Sequence, residues 1–160
     1  MLLRQHDIAD AVDEPSRLRL VHAWHQLPAW DDSVAGLNRL RTRYTVTTLS
    51  NGGFALLTNL VKAAGLPFDC IVSAELIRAY KPDRLVYREA ARLLDAAPEQ
   101  VLLVAAHTGD IAGAAQAGLR TAFLERPREK GPHGTADRPA EAASDMVVSS
   151  FPELAEQLDC

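Results

Sequence analysis

The stretch that most constrains the fold is Val101-Leu102-Leu103-Val104-Ala105, an unbroken apolar run just ahead of His107. A strand with one wet face alternates polar and apolar residues, so a short run with no alternation reads as a strand covered on both faces. Such strands belong to parallel sheets with helices above and below. The rest of the chain keeps the same rhythm. Tyr44-Thr45-Val46-Thr47-Thr48-Leu49 is β-branched and aromatic and stops at a loop, Ser50-Asn51-Gly52-Gly53. Cys70-Ile71-Val72-Ser73, Thr121-Ala122-Phe123-Leu124 and Met146-Val147-Val148 read as further short strands, with Cys70 a small buried residue.

Between these runs the apolar residues recur at helical spacing. Asp32-Ser33 reads as the cap of a helix through Val34, Leu37 and Leu40. Phe54, Leu57, Leu60 and Val61 line a second helix, which Gly65 stops. Leu85, Val86, Ala90, Leu93 and Leu94 line a third, with Pro82 in its first turn. A fourth runs through Ile111, Ala114 and Ala115 to Gly118. Strands alternating with helices imply an α/β fold on a parallel sheet. Two stretches stand outside the rhythm. The first thirty residues, with Leu18, Val21 and Trp24 at helical spacing, read as helix joined to no strand; 126–144, with three prolines and two glycines, reads as a surface excursion.

Composition narrows the function classes. A chain of 160 residues, 48% hydrophobic and 24% charged, suits a single domain with a real core. Its formal charge of −4, with Lys and Arg scattered, lacks the basic stripe a nucleic-acid partner needs. No apolar run nears the roughly 20 residues of a membrane span. Met1 to Asp7 opens no signal peptide, and Cys70 and Cys160 are too few for a disulfide framework, so a cytoplasmic protein is expected. Cys160, at the chain end, reads as exposed. His22 and His25 lie three apart on a helix but have no third ligand nearby, so no metal site is expected. No glycine-rich phosphate loop is present.

Ligand sites of open parallel sheets lie beyond the carboxyl ends of the strands. There the chain places Ser50 and Asn51, then the approach to Lys81-Pro82, then His107 and Asp110. A hydroxyl, an amide, an ammonium and a carboxylate at one edge suit a small anionic substrate. Each has a plainer reading. Ser-Asn-Gly-Gly is a common turn, Lys81 reads equally as a solvated charge, and Asp110 as a helix cap.

The motifs in order are Thr48-Leu49-Ser50-Asn51-Gly52, Ser73-Ala74-Glu75 with Tyr80-Lys81-Pro82-Asp83 and Tyr87, and Val104-Ala105-Ala106-His107 with Asp110. Gly113-Ala114 and Ala117-Gly118-Leu119-Arg120-Thr121-Ala122 follow, and 23–37 adds a further match. Together they resemble the haloacid dehalogenase superfamily, and within it the type II 2-haloacid dehalogenases. The resemblance implies a Rossmann-like three-layer α/β/α core at 29–160 and a remnant of a helical cap at 1–28. It implies hydrolysis of short 2-haloalkanoic acids through an aspartyl ester, without metal or organic cofactor. Catalytic roles fall to Lys81, which balances the nucleophile's charge, and Asp110, which orients Lys81 or water. Ser50 and Asn51 bind the substrate carboxylate or ester, Tyr87 supports that arrangement and His107 lines the pocket.

In the family the nucleophilic aspartate closes a first strand placed between those at Thr47-Leu49 and Val101-Ala105. This chain is read as N-terminally truncated, beginning inside the cap without that strand. Asp31 and Asp32, which precede a helix, do not replace the aspartate. The expectation is that the Thr47-Leu49 and Val101-Ala105 strands close together, that the chain is marginally stable, or that a second copy supplies a strand in a homodimer. Two further readings stay open: a Mg²⁺-dependent phosphatase of the same superfamily, for which Ala106 stands at an acidic position, and a non-catalytic fragment or binding protein.

Overall fold

In the computed structural model, which describes residues 12–160, strands and helices alternate as the apolar rhythm predicts. The strands are β1 (Thr47–Ser50), β2 (Cys70–Ser73), β3 (Leu102–Ala105), β4 (Arg120–Leu124) and β5 (Met146–Val148). The helices are α1 (Glu14–Ala23), α2 (Ser33–Leu40), α3 (Phe54–Ala63), α4 (Ala74–Ile77), α5 (Arg84–Leu93), α6 (Thr108–Ala117) and α7 (Phe151–Gln157). The reading of Met1 to Asp7 falls outside the described residues.

All strand pairings among the described residues are parallel, and they form two pieces. β1 pairs with β2, Thr48 opposite Ile71 and Ser50 opposite Ser73. β4 lies between β3 and β5, Val104 opposite Ala122 and Phe123 opposite Val147. The expected closure of the first strand onto the third is therefore overturned: β1 and β3 form no ladder.

Residue alternation along β3 and β4 divides the core between two helical layers. On one face Ala122, Leu124 and Val148 meet Leu37 and Leu40 of α2 and Leu154 and Ala155 of α7, with Leu102 and Val104 packed alongside. On the other, Leu103 and Leu119 meet Tyr87 of α5 and Ala114 and Ala117 of α6. Leu49 of β1 packs against this second cluster, so the two pieces of sheet share apolar contact. Phe123 and Leu154 are almost fully buried, each worth about 2 kcal/mol of transfer free energy. Gly36 allows α2 to reach α7, because a Cβ there would stand 2.3 Å from Phe151 Cβ.

Several local readings are corrected. Asp32 precedes α2 but makes no side-chain cap; its carboxylate accepts from Arg126 Nη2 at 2.9 Å through both oxygens, and from Phe151 N at 2.9 Å. Arg126 also lies over the rings of Trp30 and Phe151. The first strand begins only at Thr47, because Tyr44 N still bonds Leu40 O and Val46 N is taken by the Asp69 carboxylate. Pro82 lies ahead of α5, whose N-cap is Asp83. Cys70 is exposed where β2 opens, and Cys160 is half-buried against the α2–α7 cluster. Val34, Leu85 and Leu93 are exposed. α1 buries no residue, and Leu18, Val21 and Trp24 lie at its surface.

Candidate functional site

The carboxyl ends of β1 and β3 are joined by side chains although their backbones are not. Ser50 closes β1, and its Oγ accepts from Gly52 N at 3.0 Å, which leaves the hydroxyl proton to be donated elsewhere. Ser73, closing β2, donates to Gly52 O at 2.6 Å and pins the same turn. Glu75 follows, its Oε2 accepting from Phe54 N at 2.7 Å at the start of α3. Asn51 uses both ends of its amide on one residue. Its Oδ1 accepts from Lys81 N at 2.8 Å and its Nδ2 donates to Lys81 O at 3.1 Å. The pairing imitates a strand ladder and fixes the backbone from which the lysine side chain extends.

Lys81 Nζ donates to Asp110 Oδ2 at 2.5 Å, with the two side chains 17% and 13% exposed. The second oxygen, Asp110 Oδ1, accepts from Tyr87 OH at 2.7 Å. Asp110 is not the helix cap; His107 holds that position, and Asp110 sits in the first turn of α6, where the helix dipole favours a negative charge. Tyr87 has no exposed surface, so it stands behind the pair. Burial, and then its bond to Asp110, push the phenol's pKa well above the ordinary value, and it stays a neutral donor. Gly113 makes room for it, since a Cβ there would come 2.6 Å from Tyr87 Oη.

His107 stands apart from this network. Its side chain is 59% exposed, and Nε2 lies 3.2 Å from Glu129 Oε1. Glu129 belongs to the excursion at 126–144, read from sequence only as a loop. Asp137, on the same segment, accepts from Thr108 N at 2.9 Å and Thr108 Oγ1 at 3.0 Å, with Lys130 Nζ at 3.0 Å. The Thr108 amide, then Lys130 and the Thr108 hydroxyl, hold its pKa down at about 2. Both carboxylates clasp the start of α6. No periodicity signals them, because a loop residue's partner is set by where the loop folds back.

The donor set does not fit Mg²⁺. Both Asp110 oxygens are engaged by Lys81 and Tyr87, and among the described residues no three His, Cys, Asp or Glu side chains gather as ligands. His25 Nδ1 instead faces Asn59 Nδ2 at 2.9 Å. No described strand ends in an aspartate. Asp32 closes no strand, and its carboxylate is committed to Arg126, two residues past β4, and to Phe151 N. What remains at the β1 and β3 ends is a hydroxyl, a part-buried ammonium and its carboxylate partner, an arrangement chemically suited to an anion.

Comparison with known proteins places the chain in a family. The sequence model of the haloacid dehalogenase-like hydrolases matches residues 2–118. The chain is 32% identical to (S)-2-haloacid dehalogenase 1 of a Pseudomonas species over 85% of its length and 60% of that protein. It is 33% identical to (S)-2-haloacid dehalogenase 4A of Burkholderia cepacia over 68% of its length and 48% of that protein. A solved L-2-haloacid dehalogenase superposes with a TM-score of 0.91 at 40% identity, covering 99% of this chain and 67% of that one. A solved defluorinating L-2-haloacid dehalogenase gives 0.88 at 39% identity, covering 99% and 65%. The chain thus spans roughly half to two-thirds of these relatives.

Proposed function

Because the chain belongs to the haloacid dehalogenase-like hydrolases, we propose that it carries the substrate-holding and charge-balancing part of a hydrolytic dehalogenase acting on short 2-haloalkanoic acids. The observation that carries this is the continuous bond path Asn51–Lys81–Asp110–Tyr87, which sets one ammonium at the carboxyl ends of two separate pieces of sheet. In this reading Ser50 Oγ–H donates to the substrate carboxylate. Asn51 acts first by holding the Lys81 backbone. Lys81 offsets the charge of an attacking carboxylate, Asp110 keeps the ammonium oriented, Tyr87 holds Asp110 from behind and His107 lines the entrance. The attack itself displaces halide from the α-carbon and leaves an ester that water hydrolyses.

Chloride release from 2-chloropropionate tests the reading. The purified chain is expected to release none above a Lys81→Ala control. Joining the aspartate-ended strand that the family resemblance implies ahead of Met1 is expected to restore release, insensitive to chelator. Lys81→Ala in that joined protein should lower the rate about 100-fold or more. A joined, folded protein that stays silent would overturn the dehalogenase reading. Release lost with chelator would favour the phosphatase type. The absence of an aspartate at any described strand end favours a second reading, a core that binds small carboxylates without turning them over.

A further inference from the structure

We propose that Asp137, on the surface segment 126–144, is a positioning residue of the site: it caps α6 from outside that helix and so holds Asp110 against Lys81. The first N–H groups of a helix lack partners within it, and the residue just ahead ordinarily serves one of them with its own side chain. The residue ahead of α6 is His107, whose side chain makes no such bond. Thr108 N donates instead to Asp137 Oδ2 at 2.9 Å, and Thr108 Oγ1 donates to the same oxygen at 3.0 Å. The cap thus comes from 29 residues further along the chain.

Little else fastens this first turn. Gly109 has no atom within 4 Å of where a Cβ would stand, and glycine is among the poorest residues for a helix. The first buried residue of α6 is Ile111. Asp110 lies between the two and carries the bonds on which the site depends, to Lys81 Nζ and to Tyr87 OH. Without the Asp137 cap the turn opens more often, and each opening draws Asp110 away from both partners.

The charges are arranged for the same end. Asp110 and Asp137 both stand at the positive end of the α6 dipole. Each has its own ammonium, Lys81 for Asp110 and Lys130 for Asp137, which offsets the repulsion between the two carboxylates. Glu129 Oε1, on the same segment as Asp137, lies 3.2 Å from His107 Nε2, so the segment grips both residues that open the helix. What this contributes to turnover rests on the dehalogenase reading, whereas the coupling of Asp137 to the Lys81–Asp110 pair does not.

The test is acetylation of the full chain by acetic anhydride under native conditions, followed at each lysine by mass spectrometry. The chain has three lysines, Lys62, Lys81 and Lys130, and the exposed Lys62 serves as reference. Lys81, 17% exposed and bonded to Asp110, should label about tenfold more slowly than Lys62. Asp137→Ala should raise the Lys81 rate about fivefold, the population change that loss of one helix cap brings, and leave Lys62 unchanged. Asp137→Asn keeps an acceptor for Thr108 N and should raise the rate less; it carries the test if the alanine variant does not fold. Adding Gly109→Ala to either variant should bring Lys81 back toward its original rate, because alanine favours the helix and meets no neighbour there. Gly36→Ala, which strains the α2–α7 junction, should leave Lys81 unmoved and so separates positioning from general stability. An unchanged Lys81 rate in both Asp137 variants, an equal rise in Gly36→Ala, or no recovery with Gly109→Ala would overturn the proposal. So would a Lys81 that labels as fast as Lys62 in the unaltered chain. No halide chemistry enters these readouts, so they stand or fall apart from the dehalogenase reading.

Discussion

Asp137 illustrates how much a single loop residue contributes to the site region. Its carboxylate closes the α6 amino terminus through Thr108 and meets Lys130. Because its folded pKa is depressed from 3.8 to about 2, its contribution to stability is fully present above pH 3.8 and is lost as pH falls through about 2. A carbon-detected titration of the Asp137 carboxyl should therefore show a midpoint near 2. A midpoint near 4 would mean that the clasp is not formed. Lys81, Asp110, Ser50 and Asn51 were legible as candidates because strand ends in a parallel sheet can be located from apolar runs. Their partnerships were not. Nothing in the spacing says that Asn51 spends its whole amide on the Lys81 backbone, or that Tyr87 is sealed behind Asp110.

At the scale of elements, the junction of α2 and α7 is the most exacting contact. Gly36 faces Phe151 and Pro152 so closely that a Cβ would fall 2.3 Å from Phe151 Cβ and 2.8 Å from Pro152 N. Gly36→Ala should then force the helices apart and lower the urea unfolding free energy by about 2 kcal/mol. An unchanged midpoint would show that the contact relaxes freely. The same junction holds Asp32, whose carboxylate ties the Arg126 guanidinium to the start of α7. A caps-based reading places Asp32 at its own helix, since Asp-Ser ahead of an apolar run is the usual capping pattern. Tertiary structure redirects it because a part-buried arginine leaving β4 needs a counter-charge more than a surface helix end needs a cap.

For the whole molecule, the division of the sheet decides where stability lies. β4 is the central strand of its piece and is buried from Thr121 to Leu124, whereas β1 is only half-buried along its length. Native-state hydrogen exchange should be slowest at Ala122 and Phe123, with the amides of β1 opening well before global unfolding. Uniform protection across both pieces would show that they unfold as one.

The α/β class, the order of elements as far as β5 apart from the short α4, and the strand-end residues follow from the sequence alone, because apolar periodicity reports which faces must leave water and needs no knowledge of neighbours; α4 and α7 were not read from it. The expectation that the first and third strands close on each other is a statement about hydrogen-bond partners, and the structure overturns it. Burial of Leu49, Leu103 and Tyr87 in one cluster, with the Asn51–Lys81–Asp110 path at the strand ends, holds the two pieces together without a ladder. Only the tertiary structure could decide that, because side-chain contacts between residues far apart in the chain leave no periodic trace in it.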